Sequence, residues 1–324
     1  MLTDAELDSA PLAGKTVAVI GFGNQGRAQA LNLLDGGTCV RVGLRAGSPR
    51  AAEASEAGLE VLAPEEAAAI SDVIVLLAPD EHLPGVYQRL EASIRPGAAL
   101  VFAHGLCVHY GLIRPRPDLD VLLVAPKGPG AALRSLYQQG KGMVGLAAVA
   151  QDASGSAWPL ALAYARALGC GRKGAGVFRS TFGQETLSDL FNEAAVVWGA
   201  VPAVLEAGFE ALVEAGIDPA LAYLECVSEL KLLADLVEAR GISGMREAIS
   251  NTAELGASLG GRRIVDDGVR ERMRAILAEL GSPVFARTLM AEAAGGYPQL
   301  AAERLRARRS RLEAARLSLA DRSS

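Results

Sequence analysis

The chain has 324 residues, 50% of them hydrophobic and 5% aromatic, with a formal net charge of −5. That is enough chain for two domains with cores of their own, and too acidic and too poor in rings for a nucleic-acid partner. No uninterrupted run of roughly eighteen apolar residues offers a bilayer span, no basic segment leads into an apolar stretch at the start, and Cys39, Cys107, Cys170 and Cys226 form no Cys-x-x-Cys; the expectation is a cytoplasmic protein with reduced thiols, no zinc and no membrane partner.

Thr16 to Ile20 reads as a short buried strand, followed at once by Gly21-Phe22-Gly23-Asn24-Gln25-Gly26 and a helix from Arg27 to Leu34. A G-x-G-x-x-G between strand and helix is a dinucleotide-binding turn. Its first glycine permits the tight turn, its second lets a pyrophosphate approach the backbone, and its third lets helix and strand pack closely. The helix N-terminus then offers free N–H groups to the phosphates. A second strand, Cys39 to Gly43, runs into Leu44-Arg45-Ala46-Gly47-Ser48-Pro49-Arg50, where an acidic residue would hold the ribose hydroxyls of NAD. Two guanidiniums and a hydroxyl stand there instead, and such groups suit a 2′-phosphate. The expected cofactor is therefore NADPH over NADH, with Arg45, Ser48 and Arg50 beside the phosphate.

Apolar runs at Asp72–Leu77, Ala98–Ala103 and Val121–Ala125 continue the pattern of a buried parallel sheet, at whose carboxyl ends functional groups gather. His104, in Ala103-His104-Gly105, and Lys127, in Pro126-Lys127-Gly128-Pro129-Gly130, follow two of these strands. Prolines and glycines fix the backbone around Lys127 and let it approach a ligand, and Gly130 belongs with the cofactor-binding turns. His82 and His109 read as ordinary loop and structural histidines.

From Thr181 the strand pattern stops. Helices are expected at roughly 185–214, 219–239, 243–258, 267–280 and 283–293, punctuated by Gly208, Gly216 and Gly241 and started at Asp218-Pro219. With the boundary between Lys173 and Thr181, the expected domains are a nucleotide-binding part, 1–180, and a helical part, 181–324. The arginine-rich tail, Arg304 to Arg316, reads as a solvated helix face.

Two acidic couplets stand out in this half: Asp189 with Glu193, and Glu225 with Glu229. Spacing of i,i+4 puts each couplet on one helix face. Their neighbours Leu190, Phe191, Val196, Leu224, Val227 and Leu230 are apolar, so the face is expected to be more than simply wet. Carboxylates held close in such surroundings repel and are costly to bury, and hard divalent cations, two Mg2+ for four carboxylates, relieve both. Ordinary acidic patches on separate helices are the competing reading of the spacing alone.

Together these segments resemble ketol-acid reductoisomerase (acetohydroxy acid isomeroreductase) in its short form, from about Leu12 to Glu303. The resemblance rests on Gly-Phe-Gly-Asn-Gln-Gly, Gly-Leu-Arg-x-Gly-Ser, Phe-Ala-His-Gly, Ala-Pro-Lys-Gly-Pro-Gly, Asp-Leu-Phe-x-Glu, Glu-Cys-x-x-Glu-Leu-Lys and Ser-Gly-Met-Arg-x-x-Ile-Ser-Asn-Thr-Ala-Glu. It implies a Rossmann-type doubly wound domain followed by an all-α domain. It implies that Asp189, Glu193, Glu225 and Glu229 are Mg2+ ligands, that His104, Lys127 and Glu229 are catalytic, and that Ser250 contacts the substrate carboxylate. The implied activity, that of valine and isoleucine biosynthesis, converts a 2-hydroxy-3-keto acid such as 2-acetolactate to a 2,3-dihydroxy-3-alkyl acid by alkyl migration and NADPH reduction. The implied assembly is a homodimer, or a higher oligomer built from dimers, whose couplets come from different subunits.

The chain departs from the family pattern at Leu106, Ala131, Ala150, Leu187, Asn192 and Ala194, and at Arg50, where a serine is common. These departures leave open a 2-keto acid reductase, a reductoisomerase of shifted substrate in a specialised pathway, or an inactive nucleotide-binding regulatory partner.

Overall fold

The structure is a computed structural model that describes residues 1–323. It divides into two compact units, Met1–Thr186 and Leu187–Ser324.

The first unit is built on one eight-stranded sheet. Its strands are β1 (Thr16–Ile20), β2 (Cys39–Gly43), β3 (Glu60–Leu62), β4 (Val73–Leu76), β5 (Ala99–Phe102), β6 (Asp120–Pro126), β7 (Gly145–Gln151) and β8 (Val177–Arg179), in the order β3-β2-β1-β4-β5-β6-β7-β8. Every pairing is parallel except β6 with β7. The central strands β4, β5 and β6 are buried at every residue, as their unbroken Val/Leu/Ile-rich runs require of strands covered on both faces. Strand order reverses between β1 and β4, and ligands of open α/β sheets bind at that switch point. This is the expected Rossmann-type doubly wound architecture, ahead of a helical region.

Three strands were not expected. β3 and β8 have only three residues each, and β8 follows Lys173–Gly176, which therefore precedes the last strand instead of ending the sheet. β7 is Ala-rich, runs antiparallel and meets β6 across a bulge at Val121/Leu122. The helix after the glycine turn begins at Asn24, with Gly23 as its N-cap.

The second unit is helical throughout its described residues. Asp218 caps the helix Pro219–Tyr223, its Oδ1 accepting from the N–H groups of Ala220 and Leu221, with proline at the first helical position. Gly216 takes φ +87° and ends the preceding helix as expected, but Gly208 interrupts nothing. Gly208 lies inside Ala200–Glu214, where a Cβ would sit 3.5 Å from Cys226 Sγ, and so permits close packing of that helix on the next segment. The helix expected at 243–258 is instead broken near residue 250. Leu230–Ala248, kinked at Gly241 (φ +67°), precedes Asn251–Ile264, which Ser250 caps by accepting from Ala253 N–H at 3.2 Å. The tail forms helices Pro298–Arg308 and Arg311–Ser323, whose arginines pair with Glu206, Glu210, Glu303 and Glu313.

A small core of Phe209, Ala222 and Ala315 holds this unit. Most of its other large apolar side chains face outward, Trp198, Leu232, Leu255 and Leu259 each more than 60% exposed. The absence of a membrane-length apolar segment needs correcting. The helix Phe182–Glu214 carries an 18-residue window of mean hydropathy 1.6, only 6% of it buried. Requiring an uninterrupted apolar run hid it, because alanines, glycines and a few polar residues are tolerated in such a window. One such helix is weak support for a membrane span, since a core helix of a soluble protein passes the same test.

Candidate active site

The glycine turn closes as the dinucleotide motif demands. Gly21 adopts φ +103° and a Cβ there would meet Leu77 O at 2.8 Å, while a Cβ on Gly26 would lie 2.3 Å from Gly21 O. Around Gly23 nothing lies within 4 Å of a Cβ, so that backbone faces open space where a pyrophosphate fits. Gly21, Phe22, Gly23, Arg45, Ser48 and Arg50 line one cavity of about 660 Å3, at the carboxyl ends of β1, β2 and β4. This cradle and cavity fit a dinucleotide.

Asn24, Gln25 and Gly130 sit differently. Gln25 Nε2 donates to Gly128 O at 2.9 Å, Ala131 N–H donates to Asn24 Oδ1 at 3.0 Å, and a Cβ on Gly130 would fall 2.1 Å from Asn24 O. These contacts lock the glycine turn to the loop that carries Lys127. Ala131 thus serves through its backbone N–H.

Two acids that the sequence reading passed over complete this loop cluster. Glu185 is 1% exposed; its Oε1 lies 3.5 Å from Lys127 Nζ and its Oε2 accepts from Gly105 N–H at 2.8 Å. A carboxylate so deeply buried needs such partners to remain charged. Gly105 is required there, because a Cβ would meet Thr186 Oγ1 at 2.5 Å and Phe182 O at 2.8 Å. Asp80, just past β4, holds His104 Nδ1 at 2.8 Å, fixing the ring as carboxylates commonly do. The signals were present: Glu185, Asp189 and Glu193 continue one i,i+4 series, and Asp80 follows a strand at its carboxyl end. Leu106, another departure, is buried beside His104 and acts in packing, while Ala150 lies on β7.

The acidic couplets are not plain α-helical. A π turn spans Asn192–Val196 and contains Glu193; a second spans Leu224–Ser228, contains Glu225, and is followed at once by Glu229. Such turns shift hydrogen bonding to i→i+5 and gather at functional sites. Gly199 permits the first, since a Cβ would lie 2.0 Å from Ala194 O. Asp189 is half-buried, but Glu193, Glu225, Glu229 and Ser250 are exposed, which corrects the expectation of a face more than wet. The apolar neighbours Val196 and Leu224 are themselves exposed, at 37% and 45%. Among the described residues no group of three or more potential ligand side chains unites the two couplets.

The arginine loop also holds a surprise. Arg50 is engaged by Glu53, Nη1 to Oε2 at 3.0 Å, and the other oxygen of Glu53 takes Arg27 Nε at 2.7 Å.

A doubly wound sheet, a glycine cradle at its switch point and a histidine–lysine–carboxylate cluster at its carboxyl edge define an NAD(P)-dependent oxidoreductase of the Rossmann type. Comparison with known proteins narrows the class. Residues 11–174 match the acetohydroxy acid isomeroreductase NADPH-binding domain, and residues 182–323 the ketol-acid reductoisomerase C-terminal domain. The chain is 47% identical over 299 residues to "Ketol-acid reductoisomerase (NADP(+))" of Beutenbergia cavernae, covering 92% of this chain and 87% of that one. It is also similar to the solved structure of an NADH-preferring ketol-acid reductoisomerase from an uncultured archean, with a TM-score of 0.94 and 40% identity over 99% and 98% of the two chains. A pyrroline-5-carboxylate reductase of Coxiella burnetii, with a TM-score of 0.57 at 15% identity over 82% and 97%, shares the fold alone. The chain belongs to the ketol-acid reductoisomerase family, and the protein is an oxidoreductase.

Proposed function

We propose that this protein converts 2-acetolactate-like 2-hydroxy-3-keto acids to 2,3-dihydroxy-3-alkyl acids by alkyl migration and reduction, using NADPH and two Mg2+ per site, in valine and isoleucine biosynthesis in the cytoplasm. The observation that carries this reading is the buried Glu185, which grips Lys127 and Gly105 while the Lys127 loop is bonded to the glycine turn. A fixed cation beside the nicotinamide-binding fold is what an alkoxide or ketone oxygen would require.

In this reading Asp189, Glu193, Glu225 and Glu229 hold the metals; all are hard oxygen donors of the kind Mg2+ prefers. When bound, the metals lower the pKa of the substrate hydroxyl and polarise its ketone, and NADPH supplies the hydride. Lys127 offers a proton-bearing Nζ whose position Glu185 sets, and Glu229 moves a proton in the migration step. His104, oriented by Asp80, is the ring that this reading assigns to the substrate. Ser250 accepts from Ala253 N–H as a cap, which leaves its own O–H to donate to a substrate carboxylate at a helix N-terminus. Arg45, Ser48 and Arg50 take the 2′-phosphate.

The parts divide near residue 180, with nucleotide binding before it and metal binding, substrate binding and dimerisation after it. The exposed apolar faces of the helical part support a homodimer whose partner brings the second couplet. Substitution of the usual side chains at Ala131, Asn192 and Ala194 favours a shifted substrate as the second reading.

The test is oxidation of NADPH by the purified protein with 2-acetolactate, with and without Mg2+. Magnesium-dependent formation of dihydroxyisovalerate is expected. Turnover of a 3-hydroxy-3-alkyl-2-keto acid without turnover of its unrearranged isomer would instead make the protein a simple reductase.

A further inference from the structure

Glu53 has no role in the chemistry above, yet it bridges two arginines, of which Arg50 lines the cofactor cavity. Its carboxylate spends one oxygen on Arg50 and the other on Arg27, at 3.0 and 2.7 Å. Arg50 lines the cavity with Arg45 and Ser48, and Arg27 lies in the first turns of the helix that opens at the glycine motif. No carboxylate occurs within Leu44–Arg50 itself, so Glu53 is the acid that reaches the loop from the helix following it.

We infer that Glu53 competes with the cofactor's 2′-phosphate for Arg50 and Arg27, and so holds down this enzyme's preference for NADPH over NADH. The inference rests on the reading that the arginine loop receives that phosphate. A guanidinium presents its donors as a fork, and those given to a carboxylate are not available to a phosphate. The pair is exposed, the side chains of Arg50, Arg27 and Glu53 retaining 59%, 48% and 35% of their accessibility. Such pairs are weak, so a phosphate dianion can displace Glu53, but the negative charge stays beside the site and repels it. Hydrogen bonding to Arg50, then to Arg27, holds the Glu53 carboxyl below its ordinary range, so it is ionised wherever the phosphate is. NADH lacks the phosphate and is indifferent to this contest.

The test is direct titration of NADPH and of NADH into the full-length protein, following nicotinamide fluorescence without substrate or metal, for wild type, Arg45→Ala, Arg50→Ala, Glu53→Gln and the Glu53→Gln/Arg50→Ala pair. Each arginine variant weakens NADPH relative to NADH if the loop reading stands. Glu53→Gln then tightens NADPH by about three- to tenfold and leaves NADH within about twofold. The gain shrinks in the Arg50→Ala background, where Arg27 alone remains, and shrinks with added salt. Arginine variants without effect on the NADPH/NADH ratio would sink the loop reading and the competition with it. Arginine variants that do weaken NADPH, with Glu53→Gln neutral or weakening it too, would overturn the competition alone and make Glu53 a brace for the arginines. Loss of both cofactors in Glu53→Gln would equally overturn it, as a defect of the fold and not of selectivity.

Discussion

In the Met1–Thr186 unit, β4, β5 and β6 are buried from end to end, whereas in the Leu187–Ser324 unit the helices Leu230–Ala248, Asn251–Ile264 and Pro298–Arg308 bury no residue at all. The sheet unit satisfies its apolar side chains within one chain. The helical unit, whose fully buried apolar residues among those described are Leu190, Ala195, Phe209, Ala222, Leu280, Ala286 and Ala315, leaves far more outside than it covers. Large apolar side chains left exposed in such number are what an interaction face would draw on. The contrast extends to the charged groups: the closed unit holds His104 and Lys127 each against a carboxylate, Asp80 and Glu185, while the open unit leaves Glu193, Glu225 and Glu229 exposed.

The strongest way to break the comparison is to charge the open face. If the proposed homodimer stands, Leu255→Asp with Leu259→Asp, one turn apart on Asn251–Ile264, is expected to convert it to monomers in sedimentation velocity and to abolish turnover. Each leucine is worth about 1.5–3 kcal/mol when buried, before the cost of burying a charge. An unaltered assembly with full activity would show that face to be plain surface. Next in size, Glu225→Gln is expected to lower Mg2+-dependent turnover by about 100-fold or more, equivalent to roughly 2.7 kcal/mol of barrier. NADPH affinity measured by titration stays unchanged, because the closed unit is untouched.

The closed unit can be probed through its glycines. Gly26→Ala forces a Cβ to 2.3 Å from a backbone oxygen and is expected to destabilise by about 2–4 kcal/mol in urea unfolding. Gly23→Ala meets nothing within 4 Å and should leave stability within about 1 kcal/mol while weakening cofactor binding. The smallest effect is chemical. Burial raises the Cys107 and Cys170 thiols, the latter to about 12, so neither forms appreciable thiolate at pH 8 and alkylation of the native protein falls first on exposed Cys39. Mass spectrometry of the peptides checks the order.

Much of the sheet was legible because a strand covered on both faces must be a continuous apolar run, and β1, β4, β5 and β6 are. β3, β7 and β8 escaped because three residues give no period, and because an Ala-rich antiparallel strand beside a bulge resembles neither a buried run nor a clean alternation. At the site, the glycine turn was readable since each glycine answers a separate close approach. Glu185 and Asp80 offered only an i,i+4 position and a strand end, because what sets them apart is burial and a partner 58 or 24 residues away in the chain, Lys127 and His104. The π turns leave no pattern of hydrophobicity, since they alter hydrogen bonding and not which residues are apolar.

Those two wide turns also make chain length itself a functional variable. Each stores one residue more than an α-helical turn needs, and Gly199 gives the first room to persist. Deleting a single residue from either would let the helix relax to a regular ladder with its flanking turns still in phase, while the residues inside the turn move around the axis by up to about 100°. Glu193 and Glu225 would survive in composition and lose their aim, so the metal binding proposed for them depends as much on a count of residues as on their identity.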